Sequence, residues 1–474
     1  MKNKYKRTSQ SLLYVVGLWL LLWVAGCKAG KDYQRPSIAL PAQFHTVAAT
    51  DSSIIDISWN QLFPDPVLRQ WIDKALTQNY DMQLAIKRVE TAEAYVKQSR
   101  VALLPAVNAQ VAASSTTPSK NSLNGLSLEN FLGRNHLEDY TAQLTLSWEL
   151  DIWGKIRRQN EAVRATYLQS AEASRAVKTR LIANVSQNYF NLLMLEQQLE
   201  VARQNKLLSD TIVQMMQLQK TAGEVTELAV QQTQSQAQSA ALLVSQLEQE
   251  ITIQENALHI LAGELPGTPI AHSRLNDFQL WTDVKTGIPA QVISKRPDVR
   301  ASEMELVAAN ARVGAAQANR YPTLNITAAG GVNAFQASEW FVVPGSLFGT
   351  VAGGIAQPVF QRRALKTQLE VARIQSQESE LRFRQTVLNA VGEVSNALVR
   401  IEKLQEQQQI ASNRVEIQRG AIQNAQALFK SGIANYLEVI TAQSNGLQAR
   451  LDQASIKRQQ LDAMVELYRS LGGG

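Results

Sequence analysis

A single cysteine in 474 residues leaves no intrachain disulfide and no cysteine-built metal cluster. Histidine is nearly as scarce. His45, His136, His259 and His272 stand apart, and none pairs with another histidine, a cysteine or a carboxylate at metal-ligand spacing. No Walker-type glycine–lysine loop and no nucleophile–base constellation occurs, so the sequence argues against an enzyme and for no metal or cofactor. Net charge is also smaller than it looks. The formal balance is +6, but residues 1–26 hold Lys2, Lys4, Lys6 and Arg7 and no acid, which leaves +2 beyond them. That excess gives no reason to expect a nucleic-acid partner.

What is present explains the lone cysteine. The basic head is followed by an apolar run from Leu12 to Val24, too short for a comfortable membrane span but suited to a secretory signal. The run ends Val24-Ala25-Gly26-Cys27, which resembles a bacterial lipobox. Residues 1–26 are therefore expected to be a lipoprotein signal peptide, Cys27 to carry covalent lipid, and 27–65 to form a lipid-anchored extended segment. Lys28 replaces the aspartate that often retains lipoproteins at the inner membrane, which favours the outer membrane.

Proline and glycine are missing from two long stretches. Gly154 to about Lys220 has none beyond its start, and Gln361 to about Lys430 has only Gly392 and Gly420. Helices of that length would each extend about 100 Å at 1.5 Å per residue. Such lengths call for coiled-coil or helical-barrel packing. The glutamine clusters Gln231-Gln232 and Gln407 to Gln409 suit solvated helix faces.

The chain also repeats itself. Asp81, Ala92, Val96, Pro105 and Asn108 match Asp298, Ala309, Val313, Pro322 and Asn325 at a constant offset of 217. Gly223 matches Gly432 at 209, and the drop of eight places a longer loop in the first copy, between Ser114 and Asp139. The expected division is a first repeat at 66–265, a linker or equatorial segment at 266–285 and a second repeat at 286–474. Strands are expected at about 105–115, 141–152, 322–333 and 346–359, because apolar and polar residues alternate there. The alternation is clearest in Leu144, Leu146, Trp148, Leu150 and Ile152, while the Gly-rich fourth strand is the weakest. Each run has about the 9–11 residues that a tilted membrane strand needs.

Four strands cannot close a barrel, since the smallest membrane barrels have about eight. An open sheet in lipid would leave unpaired backbone groups, each costing several kcal/mol. The strands must therefore be pooled between chains. Two chains would suffice for a minimal barrel, and three would give a wider lumen suited to the polar face. Trp148, Trp153, Trp340, Phe341 and Phe360, at strand ends or loops, could form interfacial girdles, with core packing an alternative for Trp153 and Phe360.

Several ordered blocks resemble the TolC-like outer-membrane efflux family, in its NodT-type lipoprotein branch. They are GKDYQRP after the cysteine, with Lys31 where proline is usual; WNQLFPDPVLRQWIDKALTQNYDM; RPDVRASE, with Arg296, Pro297, Asp298, Arg300 and Glu303; VGAAQANRYP; and GIANYLEVITAQ. The resemblance implies a mainly α protomer with two repeats. Four strands from each of three chains would form a 12-stranded membrane β-barrel, continued by a periplasmic α-helical barrel. It implies a homotrimer that joins a periplasmic adaptor and an inner-membrane RND-type pump, and that lets small molecules leave across the outer membrane.

Within that family the turns Ala222-Gly223-Glu224 and Ser431-Gly432-Ile433 would be the tips that contact the adaptor. Glu438 would occupy the first acidic ring of the periplasmic gate, and Thr441 the second, where this chain lacks the acid. Ala229 is the first-repeat counterpart of Glu438. A type I protein-secretion channel shares the fold and remains an alternative. A lipid-anchored periplasmic coiled-coil protein would leave the strands unexplained.

Overall fold

The computed structural model describes residues 28–41, 44, 59–278 and 289–473. Cys27, the signal segment and residues 279–285 of the expected linker lie outside the described residues. The chain divides into two compact units, one from 1–36, 91–168 and 304–381, the other from 37–90, 169–303 and 382–474.

The first unit carries a four-stranded antiparallel sheet in the order β1 (Ala106–Thr116), β2 (Leu137–Leu150), β3 (Thr323–Ala334), β4 (Leu347–Ala356). Register sorts its side chains by polarity. Val107 lies opposite Leu146, which lies opposite Ala328 and then Val351. One residue along, Asn108 pairs with Thr145, then Ala329 and Thr350. Because successive side chains alternate between faces, one face is almost wholly apolar and the other carries Asn, Gln, Thr, Ser and Glu149. Gly331 is required by packing: a Cβ there would lie 2.1 Å from the Ala142 carbonyl oxygen on the neighbouring strand.

β2 begins at Leu137, four residues ahead of its expected start, and two strand ends fall short of the expected ones for visible reasons. β2 ends at Leu150 rather than 152 because Asp151 turns to cap the next helix, accepting from the N–H groups of Ile156 (2.9 Å) and Arg157 (3.0 Å). β4 stops at Ala356, ahead of Pro358, which has no N–H to give to a ladder. The loop between β1 and β2 holds a ten-residue helix, α4 (Leu123–Leu132), that the polar composition had hidden.

The helical elements are α1 (Trp59–Leu62), α2 (Pro66–Gln78), α3 (Tyr80–Val101), α5 (Lys155–Thr221), α6 (Glu227–Leu261), α7 (Pro289–Lys295), α8 (Pro297–Ala318), α9 (Ala364–Lys430) and α10 (Tyr436–Ser470). α5 and α9 have 67 residues each, α6 and α10 have 35 each, and α3 and α8 have 22 each. The loop from β1 to β2 runs over 117–136 and that from β3 to β4 over 335–346, a difference of eight residues. No helix among the described residues is long and apolar enough to cross a membrane.

In the second unit a core gathers Leu68, Ile72 and Ala75 of α2, Leu181, Val185 and Leu192 of α5, Leu258 of α6, Val394 of α9, and Leu461 and Val465 of α10. Phe63, Phe190, Phe278 and Tyr468 add edge-on and tilted ring contacts at 5.1–6.4 Å. The WNQLFPDP block earns its pattern here. Trp59 and Phe63 are buried, Asp65 caps α2 by accepting from Leu68 N–H (2.7 Å), and Pro66 takes the first helical position. Asn79 caps α3 through the N–H groups of Asp81 (2.9 Å) and Met82 (3.1 Å), and donates to the Leu261 carbonyl (3.0 Å).

Candidate functional site

Both turns that join a long helix to a short one have the same build. After α5, Gly223 adopts φ +81° while Ala222, Gly223 and Glu224 N–H groups donate to the carbonyls of Leu218, Lys220 and Gln219 at 2.9–3.0 Å. After α9, Gly432 adopts φ +73° while Ser431, Gly432 and Ile433 donate to Ala427, Phe429 and Leu428 at 3.0–3.1 Å. Left-handed glycine thus closes the last turn and satisfies carbonyls that the helix leaves free. All six turn residues are exposed. Beneath them, Ile212, Met216, Val230 and Val439 form a small core of their own.

The next helices start on polar caps. Thr226 Oγ1 accepts from Ala229 N–H (3.4 Å), and Asn435 Oδ1 accepts from Leu437 (2.9 Å) and Glu438 (3.2 Å). Glu438 therefore sits in the first turn of α10, where the helix dipole favours a carboxylate. Its side chain is exposed. Thr441, one turn on, is exposed and bonds back to the Leu437 carbonyl (2.8 Å). Ala229, at the equivalent point of α6, is buried, so the two repeats differ in exposure as well as charge. Tyr436 also bonds Gln232 across α6 and α10, a link no sequence signal suggested, whereas the cap at Asn435 was readable from its place before the helix.

The RPDVR block is an internal fastening. Arg296 is 3% exposed, and its guanidinium forks onto Asp298 at 3.0 and 2.7 Å, reaches Glu393 Oε2 at 2.7 Å and donates to the Ser470 carbonyl at 2.7 Å. Burial works against ionised Asp298, but the Arg296 hydrogen bonds and charge outweigh it and hold the carboxyl below its ordinary range. Pro297 begins α8, Arg300 Nε donates to the Ser294 carbonyl (2.9 Å), and Glu303 lies further along α8. Glu393, mid-way in α9, is a partner that periodicity could not single out. This cluster closes the C-terminal end of α10, whose other end bears Glu438 some 50 Å away at 1.5 Å per residue.

On the polar face of the sheet, Gln143 donates to Gln110 (3.2 Å), and Asn333 reaches Asp139 (2.6 Å) and Thr141 (2.9 Å). Of the aromatic residues, Trp153 packs on Tyr321 (centroids 5.0 Å) and donates to the Pro322 carbonyl (2.7 Å), and Trp340 packs between Tyr140 and Phe341. Phe360 is exposed. No group of three or more potential metal ligands occurs among the described residues.

Among the described residues the sheet is split in polarity and leaves β1 and β4 each with one unpaired edge, and each half of the chain also carries a 67-residue and a 35-residue helix, the build of a pooled-sheet membrane protein class. The model of the outer membrane efflux protein family matches residues 71–264 and 288–473, both halves in turn, and the chain belongs to that family. It is similar to the cation efflux system protein CusC of Escherichia coli K12, with 27% identity over 96% of this chain and 97% of that one. The toluene efflux pump outer membrane protein TtgC of Pseudomonas putida is 28% identical over 95% and 93% of the two chains. A crystal structure of CusC superposes with a TM-score of 0.84 at 26% identity, covering 94% of this chain and all of that one. The protein is an outer-membrane component of an efflux system, from a family of channels rather than of enzymes.

Proposed function

We propose that three copies pool their sheets into one 12-stranded barrel, and that their helices continue it as a periplasmic tunnel through which small solutes leave passively. The observation that carries this reading is the sheet itself, with β1 and β4 both unpaired at an edge and polar residues gathered on one face. Free edges in lipid are costly, and pooling removes them. The polar face then lines water and the apolar face meets lipid.

The exposed turns Ala222-Gly223-Glu224 and Ser431-Gly432-Ile433 would receive a periplasmic adaptor, which connects the tunnel to an inner-membrane RND-type pump. Glu438, brought near a threefold axis, would repel its copies and favour cations, with Thr441 as an uncharged second ring. Lipid on Cys27 would anchor the N-terminus at the outer membrane. Relatives named for a cation and for toluene each align with almost the whole of this chain, which suits a wide duct whose cargo is chosen by the pump.

The experiment is deletion and complementation, scored for drug, dye and metal accumulation alongside secreted protein, with cross-linking to count subunits. Solute accumulation on deletion, with secretion intact and cross-linked trimers, is the expected result. Lost secretion with unchanged efflux, or a monomer in the membrane, would overturn the reading. In planar bilayers Glu438→Ala is expected to alter conductance and cation selectivity; unchanged values would remove the gate role.

A further inference from the structure

The residues that follow Cys27 do not trail away from the fold. Ala29 N–H donates to the Trp153 carbonyl (3.0 Å), and Arg158 Nε donates to the Ala29 carbonyl (3.1 Å). Arg158 Nη1 meets Asp32 at 3.0 Å and Glu161 at 2.8 Å, while Asn310 donates to the Lys31 carbonyl (3.1 Å). Lys28 pairs back onto Asp32 at 2.6 Å.

The seat is cut for this strap. Gly30, at φ +79°, passes Gly314 of α8 so closely that a Cβ on it would stand 2.7 Å from the Gly314 Cα. A Cβ on Gly314 would in turn stand 2.8 Å from Arg158 Nε. Arg158 is fully buried, with Nη2 unpartnered. The strap supplies two of the three groups that this guanidinium meets, the Ala29 carbonyl and the Asp32 carboxylate beside Glu161, and a buried guanidinium stripped of partners is strongly disfavoured. Trp153, whose carbonyl holds Ala29, donates its indole N–H to Pro322 just before β3, so the seat lies at the end of β2 and the start of β3.

We propose that Lys28–Asp32 is a docked strap, that Arg158 is its positioning residue, and that the clasp holds the chain immediately after the lipid-bearing cysteine against the helix-bearing end of the sheet. Lipid and strands then form one body rather than a channel on a loose tether. The inference rests on the lipid-anchored reading of Cys27.

The test is limited trypsin digestion of the full acylated protein in detergent, with N-terminal fragments identified by mass. Cleavage after Lys28 and Lys31 should be slow in the native protein and about tenfold faster in Arg158→Gln, because local opening governs proteolysis. Asn310→Ala removes one side-chain bond to the strap and should accelerate the same cuts by a smaller factor. Cleavage after Lys178, in α5, should stay unchanged in both, which separates release of the strap from general unfolding. Native cleavage at the rate of an unstructured peptide, or unaltered cleavage in both variants, overturns the clasp. If Arg158→Gln accelerates every site, Asn310→Ala decides alone. An N-terminal fragment without acyl mass overturns the lipid-anchored reading, and the anchor role with it, whatever the rates.

Discussion

Replacing Arg296 by methionine preserves most of the side-chain volume and deletes the charge that closes the end of α10. Four short polar contacts disappear: two to Asp298, one to Glu393 and one to the Ser470 carbonyl. Removing one member of a buried ionic cluster typically costs about 3–5 kcal/mol. The lower end applies here, about 3 kcal/mol, since Glu393 keeps Arg469 at 3.4 Å and Asp298 keeps the Val299 N–H at 2.9 Å. Combining Arg296→Met with Asp298→Asn and Glu393→Gln should recover part of the loss, because no carboxylate is then left stranded. The sign of the pH dependence follows from Asp298. Its carboxyl is held below the ordinary 3.8, so the stabilisation is full above that value and disappears as pH falls through the lowered one. Denaturant unfolding in detergent at pH 7 and pH 3, read by helical circular dichroism, measures both effects. Arg296→Met with native stability at pH 7 would refute the fastening argument. So would normal abundance with abolished efflux, which would make the block functional rather than structural.

Two further outcomes can be checked in the same way. Burial raises the Asp462 carboxyl to about 6 against the opposing pull of Arg458 at 2.7 Å, so the folded state holds a proton that the unfolded chain releases between about pH 4 and 6. Stability therefore falls as pH rises across that window, and Asp462→Asn should raise the unfolding free energy at pH 8 by about 1–3 kcal/mol, but not at pH 4; equal effects at both would exclude the cause. Gly331→Val should prevent β2 from approaching β3, given the 2.1 Å that a Cβ would leave to the Ala142 carbonyl oxygen, and should reduce the β signal in circular dichroism; an unchanged signal would show that the strands part to make room.

The sequence by itself determined the elements and their duplication. Two stretches poor in proline and glycine became α5 and α9, and alternation at Leu144, Leu146, Trp148 and Leu150 became the apolar face of β2. These features are local, and the 3.6- and 2-residue periods record them directly. Even Gly432 past a long helix was readable, because only its left-handed conformation ends the helix that way. Tertiary structure decided the rest. Nothing near Glu393 in the chain announces Arg296, 97 residues away, and nothing near Arg158 announces Ala29, 129 residues away. Those contacts belong to register and crossing between distant segments, and buried charge finds its partners only when packing brings them within reach. The free edges of β1 and β4 are the same lesson in reverse: composition predicts four strands, but only their order in the sheet shows which backbone groups are left for another chain.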